Sequence, residues 1–356
     1  MIPFTRLLAA AVLIPVAFEL TVRMDDWARY GVPISSGATG VEDLRVVDSL
    51  GRHARPGTAF RKYHINALGF RGPEVSAEDL RTRSMVVVSG ASESFGLYES
   101  EGREWPQQLS DSLNRRCAAR PVTVMNAAFV GMALPTVIQD LQRRVLPLHP
   151  AVIVYYPEPT QYLAGDVPRL SPSSTDPPPS LSPWRLRSQP RLRDDLKGVM
   201  PAALLDYLRR RDTEQERSAG ETLFSKLPVE RLDSMEAHLR TLVGTARSGG
   251  AAIAMVMPQH RFSDTTSVAE RRWLRAWERF TPKATGSLIL SFSARADERI
   301  RAVAADSGVP LVEPRFPAGV NRALMFADPN HFTDRGAAIL AAAASNVVSR
   351  ALGCSG

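Results

Sequence analysis

Three short segments hold the residues whose types and spacing could carry out nucleophilic chemistry. Ser92 stands in Gly90-Ala91-Ser92-Glu93-Ser94-Phe95-Gly96, a G-x-S-x-x-x-G frame. Gly131 closes the run Asn126-Ala127-Ala128-Phe129-Val130-Gly131, and Asp328 precedes His331 by three residues in Asp328-Pro329-Asn330-His331. A serine hydroxyl is a weak nucleophile until a base accepts its proton, and the imidazole that serves as base needs a carboxylate to fix its tautomer. In chain order the segments read as nucleophile, oxyanion-holding turn, and carboxylate–imidazole pair. Each alone has an ordinary explanation: a Gly/Ser loop, a turn, a helix cap. The first frame lacks the Lys-[Ser/Thr] ending of a phosphate-binding loop and the glycine spacing of a dinucleotide site.

These residues need a scaffold, and the hydrophobic pattern supplies one. Ser84–Val88 is a solidly apolar run that predicts a strand buried on both faces, and Ser92 lies just past its carboxyl end. Trp105, Leu109 and Leu113, spaced by four, predict a helix over Glu104–Arg116. Strand patterns follow at Val122–Met125, Ala151–Tyr156, Ala251–Met257 and Val309–Val312. Helix patterns occur at Thr136–Leu146, Val229–Arg247, Ala294–Ala305 and Asp334–Leu352. Strand–helix alternation of this kind argues for a parallel sheet covered by helices on both faces.

The pattern breaks between residues 163 and 228. Pro168, Pro172, Pro177, Pro178, Pro179 and Pro183 crowd a serine-rich stretch that no regular element tolerates, and a charged helical pattern follows at Leu192–Arg217. This region reads as an insertion over one end of the sheet, with Arg209-Arg210-Arg211 as a solvated helix face. The chain therefore divides into residues 1–24, a lead-in over 25–80, and an α/β domain over 81–356 that carries the insertion.

Residues 1–24 contain the apolar run Leu7–Val22, preceded by Arg6 and interrupted by Pro15 and Glu19. It is short for a membrane span, and no small-residue cleavage site follows it. An uncleaved membrane anchor is the expectation, with a cleaved signal or a buried helix as alternatives. Cys117 and Cys354, the only cysteines, each follow a predicted helix. They are either two unrelated thiols or a disulfide, and the latter suits an extracytoplasmic, periplasmic compartment. Net charge is +7, with 44 basic residues against 37 acidic ones. The excess is arginine spread along the chain rather than a basic stripe with interleaved aromatics, which disfavours nucleic acid as partner. Two cysteines also fit no zinc site.

Together the three segments resemble the SGNH, or GDSL, hydrolase superfamily. Ser92 matches its block I serine, Gly131 its block II glycine, and Asp328 with His331 its block V pair. Asn66-Ala67-Leu68-Gly69-Phe70-Arg71-Gly72 is similar to a lead-in of bacterial members. The resemblance implies a three-layer α/β/α fold of flavodoxin type and acyl-ester hydrolysis or acyl transfer without metal or organic cofactor. It also implies roles: Ser92 as nucleophile, His331 as base and then acid, Asp328 fixing its tautomer, and the N–H groups of Ser92 and Gly131 as oxyanion hole.

Two departures stand out. Ala91 replaces the usual aspartate before the serine. The G-x-N-D of block III is absent, and Tyr156-Pro157-Glu158-Pro159-Thr160-Gln161-Tyr162 stands in its place. The asparagine that would complete the oxyanion hole is therefore missing, with Gln161 as a candidate replacement. Glu158 is a candidate substrate contact, Asn126 either a loop-shaping residue or a substrate contact, and His260 a loop residue or a cleft residue. Glu93 reads as a solvated or capping side chain. The expected function is a membrane-anchored serine esterase or O-acyltransferase acting on acyl esters, acetyl esters foremost, of cell-envelope carbohydrate. The alternative is a catalytically retired binding or assembly module on the same fold.

Overall fold

The computed structural model describes residues 4–30, 34, 41–164, 223–262, 273–274, 277–278, 280–317 and 320–354. Nearly all of the proline-rich insertion, including the helix expected at 192–217, lies outside the described residues.

The centre is a five-stranded parallel sheet. Its strands are β5 (Ser84–Ser89), β6 (Val122–Asn126), β7 (Val152–Tyr155), β8 (Ala252–Val256) and β9 (Leu311–Val312), in the spatial order β6-β5-β7-β8-β9. Four smaller strands precede it as two antiparallel hairpins: β1 (Arg45–Asp48) with β2 (Gly51–Ala54), and β3 (Ala59–Phe60) with β4 (Tyr63–His64). Val86, Val87 and Val88 of β5 are fully buried, as the unbroken apolar run demanded of a strand covered on both faces.

Eight α-helices are described: α1 (Phe4–Tyr30), α2 (Ala77–Thr82), α3 (Ser92–Phe95), α4 (Trp105–Arg116), α5 (Leu134–Asp140), α6 (Val229–Ser248), α7 (Gly286–Ser307) and α8 (Asp334–Ala351). Trp105, Leu109 and Leu113 of α4 meet Leu340, Ala344 and Val348 of α8 in a core on one face of the sheet. The other face is covered by α5, α6 and α7, whose Val137, Leu239 and Phe292 join a second core. Helix α7 starts at Gly286, well before the expected Ala294. The Thr285 side chain accepts from Leu288 N there, and Ile289 and Phe292 extend the buried stripe backwards. Helix α5 ends at Asp140 and continues as a wider π-type turn over Leu141–Val145.

The lead-in is folded into the domain rather than hung before it. Leu44, Phe60, Ile65 and Phe70 join the same core as α5–α7. Arg144 reaches from the π-type turn to donate to Gly69 O at 3.2 Å, lies over the Phe70 ring, and pairs with buried Asp140.

Among the described residues no helix is long and apolar enough to cross a membrane. The transmembrane anchor expected over residues 1–24 therefore has no spanning helix to rest on. Leu7–Val22 rises only about 24 Å at 1.5 Å per residue, short of a ~30 Å hydrocarbon core. Glu19 within the run pairs with Arg23, and beyond it α1 becomes polar, with Asp25 paired to Arg29. Val12, Leu13, Ile14, Val16, Phe18 and Leu20 are nevertheless exposed on α1.

Cys117, at the end of α4, and Cys354, just past α8, form a disulfide. Of the two readings left open for these cysteines, the structure takes the bridge, because α4 and α8 pack side by side.

Candidate active site

Strand order puts the first strand of the sheet, β5, between the second and third. Chain connections leave β5 in opposite directions at that point, and the crevice beyond the carboxyl ends of such strands is where open α/β sheets bind ligands. The residues following β5, β6 and β7 converge there on a cavity of about 620 Å³.

Ser92 opens α3, a single helical turn immediately after β5. The turn requires Gly90, since a Cβ there would lie 2.8 Å from Ser94 Oγ and 3.0 Å from Tyr156 O. At the far end of α3, Arg71 donates to the carbonyl oxygens of Phe95 and Gly96 and lies over the Phe95 ring. The NALGFRG segment thus clamps the carboxyl end of the helix that Ser92 opens, a contact that its position ahead of the first sheet strand did not reveal.

Gly131 lies in the turn between β6 and α5, at φ +69°, and lines the same cavity as Ser92. Arg52 donates to the neighbouring Val130 carbonyl at 3.1 Å and holds that turn. Asn126 is corrected as a substrate contact: its side chain is buried, donates to Ser94 O at 2.8 Å and accepts from Ala128 N at 3.1 Å. It ties the end of β6 to the helix that Ser92 opens and does not line the cavity. Glu158 and Gln161 both do.

Asp328 and His331 sit in a tight turn whose ends pair through Phe326 and Phe332, just before α8. Asp328 Oδ2 is 2.7 Å from His331 Nδ1, and Asp328 Oδ1 accepts from the backbone N–H groups of Asn330 and His331. Burial pushes the Asp328 carboxyl up, but the hydrogen bond and charge of His331, with those two N–H groups, outweigh it and hold the carboxyl below its ordinary value. The Tyr98 ring packs edge-on against the imidazole at 5.4 Å.

The other ring nitrogen, His331 Nε2, has no hydrogen-bond partner. Ser92 Oγ instead makes a long contact of 3.5 Å to Glu93 Oε2, and Glu93 Oε1 lies 4.0 Å from Nε2. The structure therefore brings Ser92, Asp328 and His331 to one cavity, with Glu93 beside the serine and the imidazole. Glu93 is only 1% exposed, which overturns its reading as a solvated side chain. Asn330 Nδ2 donates to Glu93 Oε1 and to Glu158 Oε2. Burial first, and then the neighbouring Glu158, push the Glu93 carboxyl well above its ordinary value. Nothing near Glu93 in sequence signals this; its partners lie far along the chain.

The remaining wall is apolar: Leu97, Val130, Trp277 and Phe280 among others. His260 packs on Phe262 and Trp277 and does not line the cavity. Among the described residues no group of three or more His, Cys, Asp or Glu side chains is arranged to hold a metal ion.

No family model matches this chain, and no curated protein does. Solved structures are similar to it. A G-D-S-L family protein from Desulfitobacterium hafniense is 11% identical, with 74% of this chain and 99% of that one covered at a TM-score of 0.42. A lipase/acylhydrolase from Enterococcus faecalis is 13% identical, covering 75% and 96% at 0.42. The acetylxylan esterase Axe2 from Geobacillus stearothermophilus is also 13% identical, covering 76% and 96% at 0.42.

Proposed function

We propose that this protein is a serine-dependent hydrolase or acyltransferase of acyl esters, with Ser92 as nucleophile. The observation that carries the reading is the convergence of Ser92, Gly131, Asp328 and His331, from three separate parts of the chain, on one cavity at the switch point of the sheet. Ser92 Oγ attacks the carbonyl carbon, and His331 Nε2 takes its proton and later returns it to the leaving oxygen. Catalytic hydrogen bonds often tighten only in the complex with substrate, which is where Ser92 Oγ and Nε2 would meet. The backbone N–H groups of Ser92 and Gly131 would hold the oxyanion, a role for which their shared cavity is the support.

Carbohydrate acyl esters are the substrates this cavity suits best. Carboxyl and amide groups at Glu158 and Gln161 can bond sugar hydroxyls, while Trp277 and Phe280 offer ring surfaces. The disulfide supports an oxidising, extracytoplasmic location, and the exposed apolar side chains of α1 support attachment to lipid.

The test is reaction with a fluorophosphonate probe, with the modified residue mapped by mass spectrometry. Labelling at Ser92 that disappears in His331→Ala is the expected result. A folded protein that stays unlabelled and hydrolyses no acylated sugar favours the second reading, a retired binding module, for which the unpartnered His331 Nε2 is the supporting observation.

A further inference from the structure

Where a side-chain donor would complete the oxyanion site after β7, this chain carries Glu158 and Pro159, and only Glu158 faces the cavity. Glu158 is not alone there. One amide nitrogen, Asn330 Nδ2, is within hydrogen-bond distance of both Glu93 Oε1 and Glu158 Oε2. The two side chains thus share one donor, and burial together with the neighbouring Glu158 charge pushes the Glu93 carboxyl well above its ordinary value. The Glu93 member is also the group in contact with Ser92 Oγ.

We propose that Glu93 and Glu158 are a proton-sharing pair in which Glu93 is a catalytic carboxyl, its acid form donating a hydrogen bond to the substrate oxygen that gains charge when Ser92 adds to the carbonyl. This rests on the ester reading above. The proton is lent and not transferred. Ser92 Oγ forms the new bond to carbon, the carbonyl π electrons move to oxygen, the serine proton goes to His331 Nε2, and the pair's proton stays in a hydrogen bond to the oxyanion. A neutral carboxylic acid held by an apolar, crowded site is a known kind of donor for this purpose. A fully ionised pair would instead place negative charge beside the oxyanion and oppose the addition.

The groups facing the pair agree with this assignment. Asp328 and His331 face it from the turn before α8, with Tyr98 packed on the far side of the imidazole. Tyr155 and Tyr156 face it from the end of β7, both pushed well above the ordinary phenol value by burial. His331 is the one cation-forming group among them. Thr160 donates its N–H and hydroxyl to Glu158 Oε1 and fixes that side chain beside Asn330.

The test uses the full chain, 4-nitrophenyl acetate as substrate, and Glu93→Gln, Glu93→Ala and Glu158→Gln. The wild type should lose activity at alkaline pH as the pair loses its proton. An amide is a donor at every pH. Glu93→Gln should therefore stay within about tenfold of wild type and lose the alkaline fall, while Glu93→Ala should drop kcat about 10²–10³-fold, as removal of an oxyanion donor does. Infrared difference spectra at neutral pH should show a protonated-carboxyl component of wild type that is lost in Glu93→Gln and shifted or lost in Glu158→Gln. The isosteric Gln variants, with circular dichroism melts, guard against loss of fold. Absence of that component from the difference between wild type and Glu93→Gln overturns the proposal. So does Glu93→Ala activity equal to wild type, or a Glu93→Gln variant as impaired as Glu93→Ala with the alkaline limb unchanged. If the component is present but wild type neither turns over the ester nor labels at Ser92, the ester reading itself has failed and the donor role falls with it.

Discussion

Arg71 donates to the main-chain carbonyl oxygen of Gly96 at 2.6 Å, so a segment before the first sheet strand caps the helix that Ser92 begins. The same guanidinium reaches Phe95 O and lies 3.7 Å from the buried Glu104 carboxylate. Arg71→Ala would leave two carbonyls and an acid without their cation. We expect a loss of about 3–5 kcal/mol, as for other broken buried pairs, read from urea unfolding. Labelling at Ser92 should slow in the fraction that still folds, because α3 loses its clamp.

Asp328 holds His331 through one short side-chain bond and is kept ionised by it. Asp328→Asn preserves the shape but presents the wrong group to Nδ1. Fluorophosphonate labelling of Ser92 should fall about 10³–10⁴-fold, the order seen when an orienting carboxylate is amidated elsewhere. Since the folded carboxyl is depressed, its contribution to stability is present above its ordinary value and is lost as pH falls through the depressed one. Thermal melts of wild type and Asp328→Asn should therefore converge only in strong acid.

Glu99 carries a different pH signature. Burial pushes its carboxyl from an ordinary 4.5 to about 7, only partly offset by backbone hydrogen bonds and the charges of Arg71 and His331. The folded state then binds more proton than the unfolded one between those values, so the stabilising contribution is full below 4.5 and is lost as pH rises to about 7. A shift of that size corresponds to about 3 kcal/mol at ~1.4 kcal/mol per pH unit. Glu99→Gln should flatten this part of the stability–pH curve, measured by chemical unfolding at pH 5 and pH 8. An unchanged slope would refute the assignment.

The bridge between Cys117 and Cys354 spans 237 residues and ties α4 to α8 behind the site. Closing so long a loop restricts the unfolded chain strongly. Cys117→Ser should cost about 2–5 kcal/mol in urea unfolding under oxidising conditions. Wild type treated with a thiol reductant should approach the variant, and the variant should not respond.

What the sequence determined by itself is local. Buried strands announce themselves as solid apolar runs, so Ser84–Val88 and Val152–Tyr155 are legible, and so is the four-residue spacing of Trp105, Leu109 and Leu113. A serine in a glycine frame after such a strand, and an aspartate three residues before a histidine, are legible for the same reason. Backbone geometry binds each pattern to its neighbours in the chain.

The tertiary structure decided what depends on distant contacts. Glu93 looks like a surface acid until β7 brings Glu158, and the turn before α8 brings Asn330, against it. Asn126 looks like a site residue until its amide is spent on Ser94 O. Arg71 looks like part of a linker until it closes on Gly96. A side chain's protonation, partners and exposure are set by which groups share its space. For this site those groups come from segments more than two hundred residues apart, a relation that only the packed sheet and its connections establish.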